Sequence, residues 1–153
     1  MSAEPIGVAP APSLHRFVEA QRDVFARALT EIRHGRKESH WMWFVFPQLA
    51  GLGQSTTARH YAIRDLEEAR AYLADTLLGT RLREIAEAAC AIPERSALEV
   101  LGSPDDLKLH SSATLFALVS PRGSVFHRLL DRYFRGEPDA ATLRLLGFGA
   151  LDG

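Results

Sequence analysis

The sequence contains one cysteine, Cys90, so no disulfide can form within the chain. Structural disulfides are typical of oxidising compartments, and their absence leads us to expect a cytoplasmic protein. The start of the chain also lacks the basic and apolar regions of a signal peptide. Cys90 lies in an apolar stretch at a predicted helix end, where we favour a buried, inert thiol over a nucleophile.

Long apolar runs and an excess of charge of one sign are missing as well. No run approaches the roughly 20 residues that cross a bilayer, so no membrane contact is predicted. The formal net charge is −1, whereas a general nucleic-acid binder normally has a clear basic excess. Nucleic acid is therefore an unexpected partner. A single-strand binder would need Arg36, Arg59 and Arg64 to converge beside the tryptophans.

Several motifs are absent. The sequence has no HExxH and no cysteine-rich spacing, so no metal site is predicted. The segment GLG, which begins at Gly51, lacks the GxGxxG and GxxxxGK[ST] patterns of phosphate loops, and no cofactor is predicted. No Asn-Gly or Asp-Gly hairpin signal lies between alternating runs, which argues against a β fold.

Lysine is nearly absent, since 16 of the 18 basic side chains are arginine. The two lysines are Lys37 and Lys108. Lysine is a compact point charge, whereas arginine is a planar fork. Either the two lysines occupy places where arginine does not fit, or a preference for arginine codons left them by chance.

The 153 residues are 46% apolar and 24% charged, as in an ordinary globular protein of one domain. Residues 1–12 are rich in proline and alanine and predict a flexible tail. Residues 13–148 predict a single compact all-α domain of seven or eight mostly short helices, and residues 149–153 a second tail. The first helix is predicted to run from the cap Ser13 to Gly35.

Polar and aromatic residues are most concentrated between Arg36 and Ser55. Trp41 to Phe46 are all large and apolar, yet Lys37, His40 and Gln48 flank them. We interpret this segment as the wall of a pocket. The spacing of its residues fits either a strand or a helix, and we prefer a short helix. That helix should end near Phe46, because Pro47 disfavours helical geometry in the residue before it.

A second informative stretch is PDDLKLHSSATLFALV. Its apolar residues surround the helix axis, which predicts a mostly buried helix capped by Ser103, with Pro104 at its first position. Four polar residues nevertheless fall on one stripe: Asp105, Lys108, Ser111 and Ser112. The stripe faces either water or a polar cavity, where lysine and serine would donate hydrogen bonds to phosphate or carboxylate oxygens.

The strings GRKESHWMWFVFPQLAGLGQS, HYAIRDLEEARAYL, LLGTRL and DDLKLHSSATLF together resemble the family called domain of unknown function 1810. The resemblance covers about Phe17 to Gly147 and implies a compact all-helical cytoplasmic protein. Some relatives carry the label calpastatin, but calpain inhibitors of that type are disordered chains, whereas this one is globular. The positions that match the family's motifs are Lys37, His40, Trp41, Gln48, Ser55, Tyr61, Asp106, Lys108, Ser111 and Ser112.

Our functional hypothesis is a pocket between the segment Lys37 to Gln48 and the helix containing Lys108 to Ser112. It would bind a small anionic, nucleotide-like ligand. Hydrolysis of that ligand is a further hypothesis, which rests on an analogy with helical proteins of the NADAR type. The predicted catalytic residues are His40 and Lys108. The predicted ligand-binding residues are Lys37, Trp41, Gln48, Ser55, Tyr61, Asp106, Ser111 and Ser112. The alternative is a non-enzymatic module that docks a protein through an exposed Trp41 to Phe46 segment.

Overall fold

The structure, a computed structural model, describes residues 13–148, and within this range it is built from ten α-helices joined by short loops. They are α1 His15–Gln21, α2 Phe25–Arg33, α3 Met42–Val45, α4 Thr56–His60, α5 Leu66–Ala74, α6 Thr76–Cys90, α7 Ala97–Leu101, α8 Asp105–Leu118, α9 Val125–Phe134 and α10 Ala140–Leu145. The predicted all-α class is confirmed, with more helices than the seven or eight expected. The predicted tails, residues 1–12 and 149–153, lie outside the described residues.

The first predicted helix is in fact two helices. The chain leaves the helix after Gln21 and starts a new one at Phe25. Both parts contact α6, and α1 also contacts α3. Ser13 is not the cap residue, although its Oγ accepts a hydrogen bond from the His15 amide at 2.9 Å. The helical region ends before Gly35, whose φ of +83° suits glycine.

Side-chain caps start most of the later helices. The caps that accept a hydrogen bond from the first turn are Ser55, Asp65, Asp75, Ser96, Ser124 and Asp139. The prediction that Ser103 caps α8 is wrong. The helix α8 begins at Asp105 after Pro104, and no side chain caps it. Two carboxylates in its first turn, Asp105 and Asp106, complement the helix dipole instead.

The helix α8 lies at the centre of the domain and packs against α5, α7, α9 and α10. Every residue from Leu109 to Ala117 except His110 is buried. The helix α6 forms the other main contact layer, against α2, α5 and α9. None of the helices in the described part of the chain is long and apolar enough to cross a membrane. Because four helices pack around α8, the polar side chains that it carries are held in place by the surrounding helices.

Candidate functional site

A carboxylate from α2 fixes the start of the aromatic segment. Oε1 of Glu31 accepts hydrogen bonds from Nε1 of Trp41 at 2.8 Å and from the backbone amides of Glu38 and Ser39 at 2.8 and 3.1 Å. Oε2 accepts from the Ser39 hydroxyl at 2.6 Å. Burial raises the pKa of Glu31, but these hydrogen bonds outweigh it and lower the pKa to about 2. Glu31 was not among the predicted residues.

This anchoring decides which tryptophan can meet a ligand. The segment forms the short helix α3, which ends before Pro47 as predicted. Trp41 is 0% exposed, so its prediction as a ligand-binding residue is wrong: no ligand can reach its ring. Trp43 is only partly buried and lines an open cleft. The indole available for stacking is therefore that of Trp43.

The two lysines converge on one carboxylate. Nζ of Lys37 lies 2.9 Å from Oδ2 of Asp105, and Nζ of Lys108 lies 3.4 Å from Oδ1 of the same residue. Each ammonium group also faces an indole: Lys37 lies 5.2 Å from the ring centroid of Trp41, and Lys108 lies 4.2 Å from that of Trp43. The two segments predicted to form a common site are therefore in contact.

Beside this cluster lies a cleft of about 440 Å³, which we call the α8 cleft. Its polar lining residues are Gln48, Gln54, Ser55, Lys108, Ser111 and Asp139. Apolar side chains, among them Trp43, Leu52 and Leu107, line the rest. Its size is in the range of small-molecule sites. The cleft thus combines one ammonium group, one carboxylate and one indole with several neutral hydrogen-bonding groups.

Backbone pairing holds Gln48 in the cleft wall. Its carbonyl accepts a hydrogen bond from the Ile63 amide at 2.9 Å, and the Ile63 carbonyl accepts from the Ala50 amide at 2.8 Å. Oε1 of Gln48 accepts a hydrogen bond from the Ser111 hydroxyl at 2.5 Å. The following loop passes close to α4, since a Cβ on Gly53 would lie 2.5 Å from the Cβ of Ala58. Only glycine fits at that point.

Asp139, which sequence reasoning did not select as a site residue, lines the cleft near the start of α10. Its Oδ2 accepts hydrogen bonds from the amide and the hydroxyl of Thr142, at 3.0 and 2.7 Å. Its backbone amide donates to Oγ1 of Thr114 on α8 at 2.8 Å. The sequence signal for Asp139 was that of a helix cap, which gives no indication of a second role.

The polar stripe of α8 faces the protein rather than water. Ser111 and Ser112 are 3% and 1% exposed. Ser111 lines the cleft, whereas the buried Oγ of Ser112 has no hydrogen-bond partner among residues 13–148. Oδ1 of Asp106 is likewise buried and unpartnered in this part of the chain. Neither Ser112 nor Asp106 lines the cleft, so neither is placed to bind a ligand there.

Two further predicted residues lie away from the cleft. The His40 side chain is exposed and does not line it, so a proton-transfer role for His40 at this site is not supported. The Tyr61 ring packs against Phe17 and Phe44, with centroid distances of 6.0 and 5.3 Å, as a structural residue would. The predicted residues that line the cleft are Gln48, Ser55, Lys108 and Ser111. Lys37 is linked to it through Asp105.

The arrangement needed by a single-strand nucleic-acid binder is not present. Arg59 and Arg64 line one depression, next to His60, and Arg36 lines another, next to Arg27. These arginines therefore do not converge beside a tryptophan.

In residues 13–148, no three histidine, cysteine or acidic side chains are grouped so that they could hold a metal ion.

Comparisons with known proteins agree with the fold. The model of a family described as "Protein of unknown function (DUF1810)" matches residues 11–146. The structure is similar to the crystal structure of Rv1873, a conserved hypothetical protein from Mycobacterium tuberculosis, with a TM-score of 0.85 and 50% sequence identity. The similarity covers 87% of this chain and 95% of that one. No curated protein matches the sequence.

Proposed function

Because the chain belongs to the DUF1810 family, whose description assigns no activity, we propose its function from the site alone: it binds a small anionic, nucleotide-like ligand in the α8 cleft. One observation carries this proposal. The Lys108 ammonium group lies 4.2 Å from the ring centroid of Trp43, and both side chains line the same cleft. A charge for an anionic group and a flat surface for a planar group are therefore adjacent.

The charges around Lys108 support an anionic group at that place in the cleft, while the Asp139 carboxylate lies elsewhere in its lining. Lys37, Asp105 and Lys108 carry two positive charges and one negative charge, so one positive charge is left within these three residues. Their side chains are only 8%, 17% and 19% exposed. Charges held partly out of water interact more strongly with a counter-ion than fully hydrated ones. An anionic group beside Lys108 would neutralise the excess.

The neutral polar groups of the cleft suit the remainder of such a ligand. The amide of Gln48 and the hydroxyls of Ser55 and Ser111 can each donate or accept hydrogen bonds. The exposed part of Trp43 offers a face for a base or another planar ring. Gln48, Ser55 and Ser111, the predicted ligand-binding residues that line the cleft, are therefore suited to contact the neutral part of such a ligand.

Hydrolysis of the ligand would have to use Lys108 and Asp139, since these are the acidic and basic side chains that line the cleft. His40, the predicted general acid or base, lies outside it. Binding is therefore the function that the geometry supports best. The catalytic step stays a secondary hypothesis.

The alternative, a module that docks a protein through the aromatic segment, would require that segment to be exposed. Instead, Trp41, Met42, Val45 and Phe46 are at most 2% exposed, and Trp43 and Phe44 are half-buried. The segment therefore does not form the large open apolar patch of a docking surface. The closed packing of the segment next to an open cleft favours a small ligand.

A thermal-shift screen of nucleotides and related anions would test the proposal. We expect at least one compound to raise the melting temperature of the wild-type protein. Replacing Lys108 by methionine keeps the length of the side chain but removes its charge, and should weaken binding about 10- to 100-fold, the effect of losing a hydrogen bond to a charged group. The exposed Arg122 offers a matched control, since Arg122→Met also removes one positive charge.

The control variant should bind as the wild type does. Undiminished binding by the Lys108→Met variant would overturn the proposed site. The absence of a melting shift across the whole panel would overturn the proposed function.

A further inference from the structure

Asp139 has one carboxylate oxygen committed to the fold and one that is not. Oδ2 accepts both hydrogen bonds from Thr142. Oδ1 lies 4.0 Å from Nδ1 of His110, which is beyond hydrogen-bonding distance, and accepts no hydrogen bond from residues 13–148. The side chain is 24% exposed and lines the α8 cleft. Oδ1 is therefore an acceptor available to a ligand.

The neighbouring histidine does not supply the missing donor. Nε2 of His110 lies 2.7 Å from the carbonyl oxygen of Glu137, which can only accept, so Nε2 donates that hydrogen bond. Nδ1 lies 4.0 Å from Oδ1 of Asp139, which is too far for a hydrogen bond. The His110 ring is held in place by stacking on Phe134, with 4.1 Å between the centroids. The distance and the stacking together leave Oδ1 of Asp139 without a hydrogen bond from this ring.

Asp139 and Lys108 lie at different heights along α8. The backbone of Asp139 is attached to Thr114, which is six residues beyond Lys108. Six residues advance an α-helix by about 9 Å. Ser111 lies midway and also lines the cleft. The cleft therefore has a positive group toward one end, a carboxylate toward the other and a hydroxyl between them.

From this arrangement we infer that Asp139 is a specificity residue of the α8 cleft, and that the ligand carries one negative charge at its Lys108 end and a hydrogen-bond-donating amino group at its Asp139 end. The inference rests on the proposed function. One ammonium group, that of Lys108, can neutralise one negative charge of a ligand. The Asp139 carboxylate would repel any further negative charge, so ligands with several negative charges are disfavoured. A nucleotide that carries its charge as a phosphodiester and has an amino group on its base fits these requirements.

A matched pair of ligands tests the inference on the wild-type protein. Adenosine 3′,5′-cyclic monophosphate and its inosine counterpart carry the same single charge, but inosine has a carbonyl oxygen in place of the amino group. Calorimetric titration should show at least about 10-fold tighter binding of the adenosine compound, since a carbonyl oxygen facing Asp139 leaves two acceptors opposed. Adenosine triphosphate should bind more weakly than the cyclic monophosphate.

The variant Asp139→Asn sharpens the test. Asparagine caps helices as well as aspartate does, so α10 should be retained. Its amide can also donate a hydrogen bond, so the preference for adenosine should disappear or reverse. Asp75→Asn makes the same change at the cap of α6, whose carboxylate accepts hydrogen bonds from Leu77 and Leu78 and does not line the cleft, and it should keep the wild-type preference.

The outcomes separate the inference from the proposed function. If the wild type binds both cyclic nucleotides equally, and binding still depends on Lys108, the inference is wrong and the proposed function stands. Tighter binding of the triphosphate would also overturn the inference. If neither cyclic nucleotide nor any compound of the wider screen binds in a Lys108-dependent way, both proposals fail.

Discussion

At the level of single residues, the Glu31 carboxylate ties the start of the aromatic segment to α2. Four hydrogen bonds to its carboxylate lower the pKa from an ordinary value of 4.5 to about 2. They hold residues 38–41 against α2 and bury the Trp41 indole. Without this anchor, the residues that lead into α3 would lose their attachment to α2, and we expect the position of Trp43 in the cleft to change.

We predict that Glu31→Gln destabilises the fold by about 1–3 kcal/mol at pH 7, the cost of weakening hydrogen bonds to a charged acceptor. Because the carboxylate is only partly buried, water screens it, and the cost should stay below the full free energy equivalent of the pKa shift. Because the pKa of Glu31 is lowered in the folded state, its contribution is present above about pH 5 and is lost as the pH falls toward 2. The difference between wild type and variant should therefore shrink over this range. Urea unfolding at several pH values measures it.

Glu84→Gln provides the control for this prediction. Glu84 pairs with Arg33 at 3.4 Å, and both side chains are exposed. Exposed ion pairs contribute between 0 and about 1 kcal/mol. A Glu31→Gln variant that is no less stable than Glu84→Gln at pH 7 would show that the carboxylate does not anchor the segment.

At the level of elements, the beginnings of helices were predictable where a local signal marks them. Asp65 was predictable as the cap of α5, and α6 was predictable as starting at Asp75 or Thr76, because capping depends on a side chain and an amide only two or three residues away. The break between α1 and α2 was not predictable from the spacing of the residues that face the core. Phe17, Gln21 and Phe25 continue the helical spacing across the break, so this spacing does not mark residues 22–24, where the structure interrupts the helix.

The helix α8 carries two adjacent serines whose substitutions should have opposite effects. Ser111 donates a hydrogen bond to Gln48, so Ser111→Ala should destabilise the protein by about 1 kcal/mol. The hydroxyl of Ser112 is buried without a partner among residues 13–148. Removing a buried unpaired group relieves its desolvation penalty, so Ser112→Ala should be neutral or stabilising by up to about 1 kcal/mol.

Urea unfolding of the two alanine variants tests this difference directly, because each substitution deletes one hydroxyl from neighbouring positions of one helix. A loss of more than about 1 kcal/mol for Ser112→Ala would contradict the prediction. Such a loss would mean that a bound water or another group satisfies the Ser112 hydroxyl.

At the level of the whole molecule, part of the site was predictable and part was not. The proximity of Lys37 to Lys108 and of Gln48 to Ser111 was predictable, because each pair joins two sequence segments in which polar residues interrupt an apolar pattern. The choice between Trp41 and Trp43 did not follow, because it depends on how α3 docks. That docking is set by Glu31, which lies on another helix and shows no unusual pattern in the sequence.

A buried polar residue also joins four helices, and the stability of the whole domain should depend on it. Gln21 on α1 is 1% exposed. Its Nε2 donates to the carbonyl of Phe44 on α3 at 2.7 Å and to the hydroxyl of Tyr72 on α5 at 3.0 Å. Its Oε1 accepts from Arg81 on α6 at 3.3 Å. Burial raises the pKa of Tyr72, so its hydroxyl stays protonated.

We predict that Gln21→Met, which keeps the volume but leaves these partners unpaired, costs about 3 kcal/mol of unfolding free energy and lowers the melting temperature by about 6–12 °C. Tyr72→Phe should cost only about 1 kcal/mol. In the double variant no Tyr72 hydroxyl is left unpaired, so the combined loss should be about 1 kcal/mol smaller than the sum of the single losses. Calorimetric unfolding of the four proteins measures this coupling. Strictly additive losses would show that Gln21 stabilises the domain through its other partners alone.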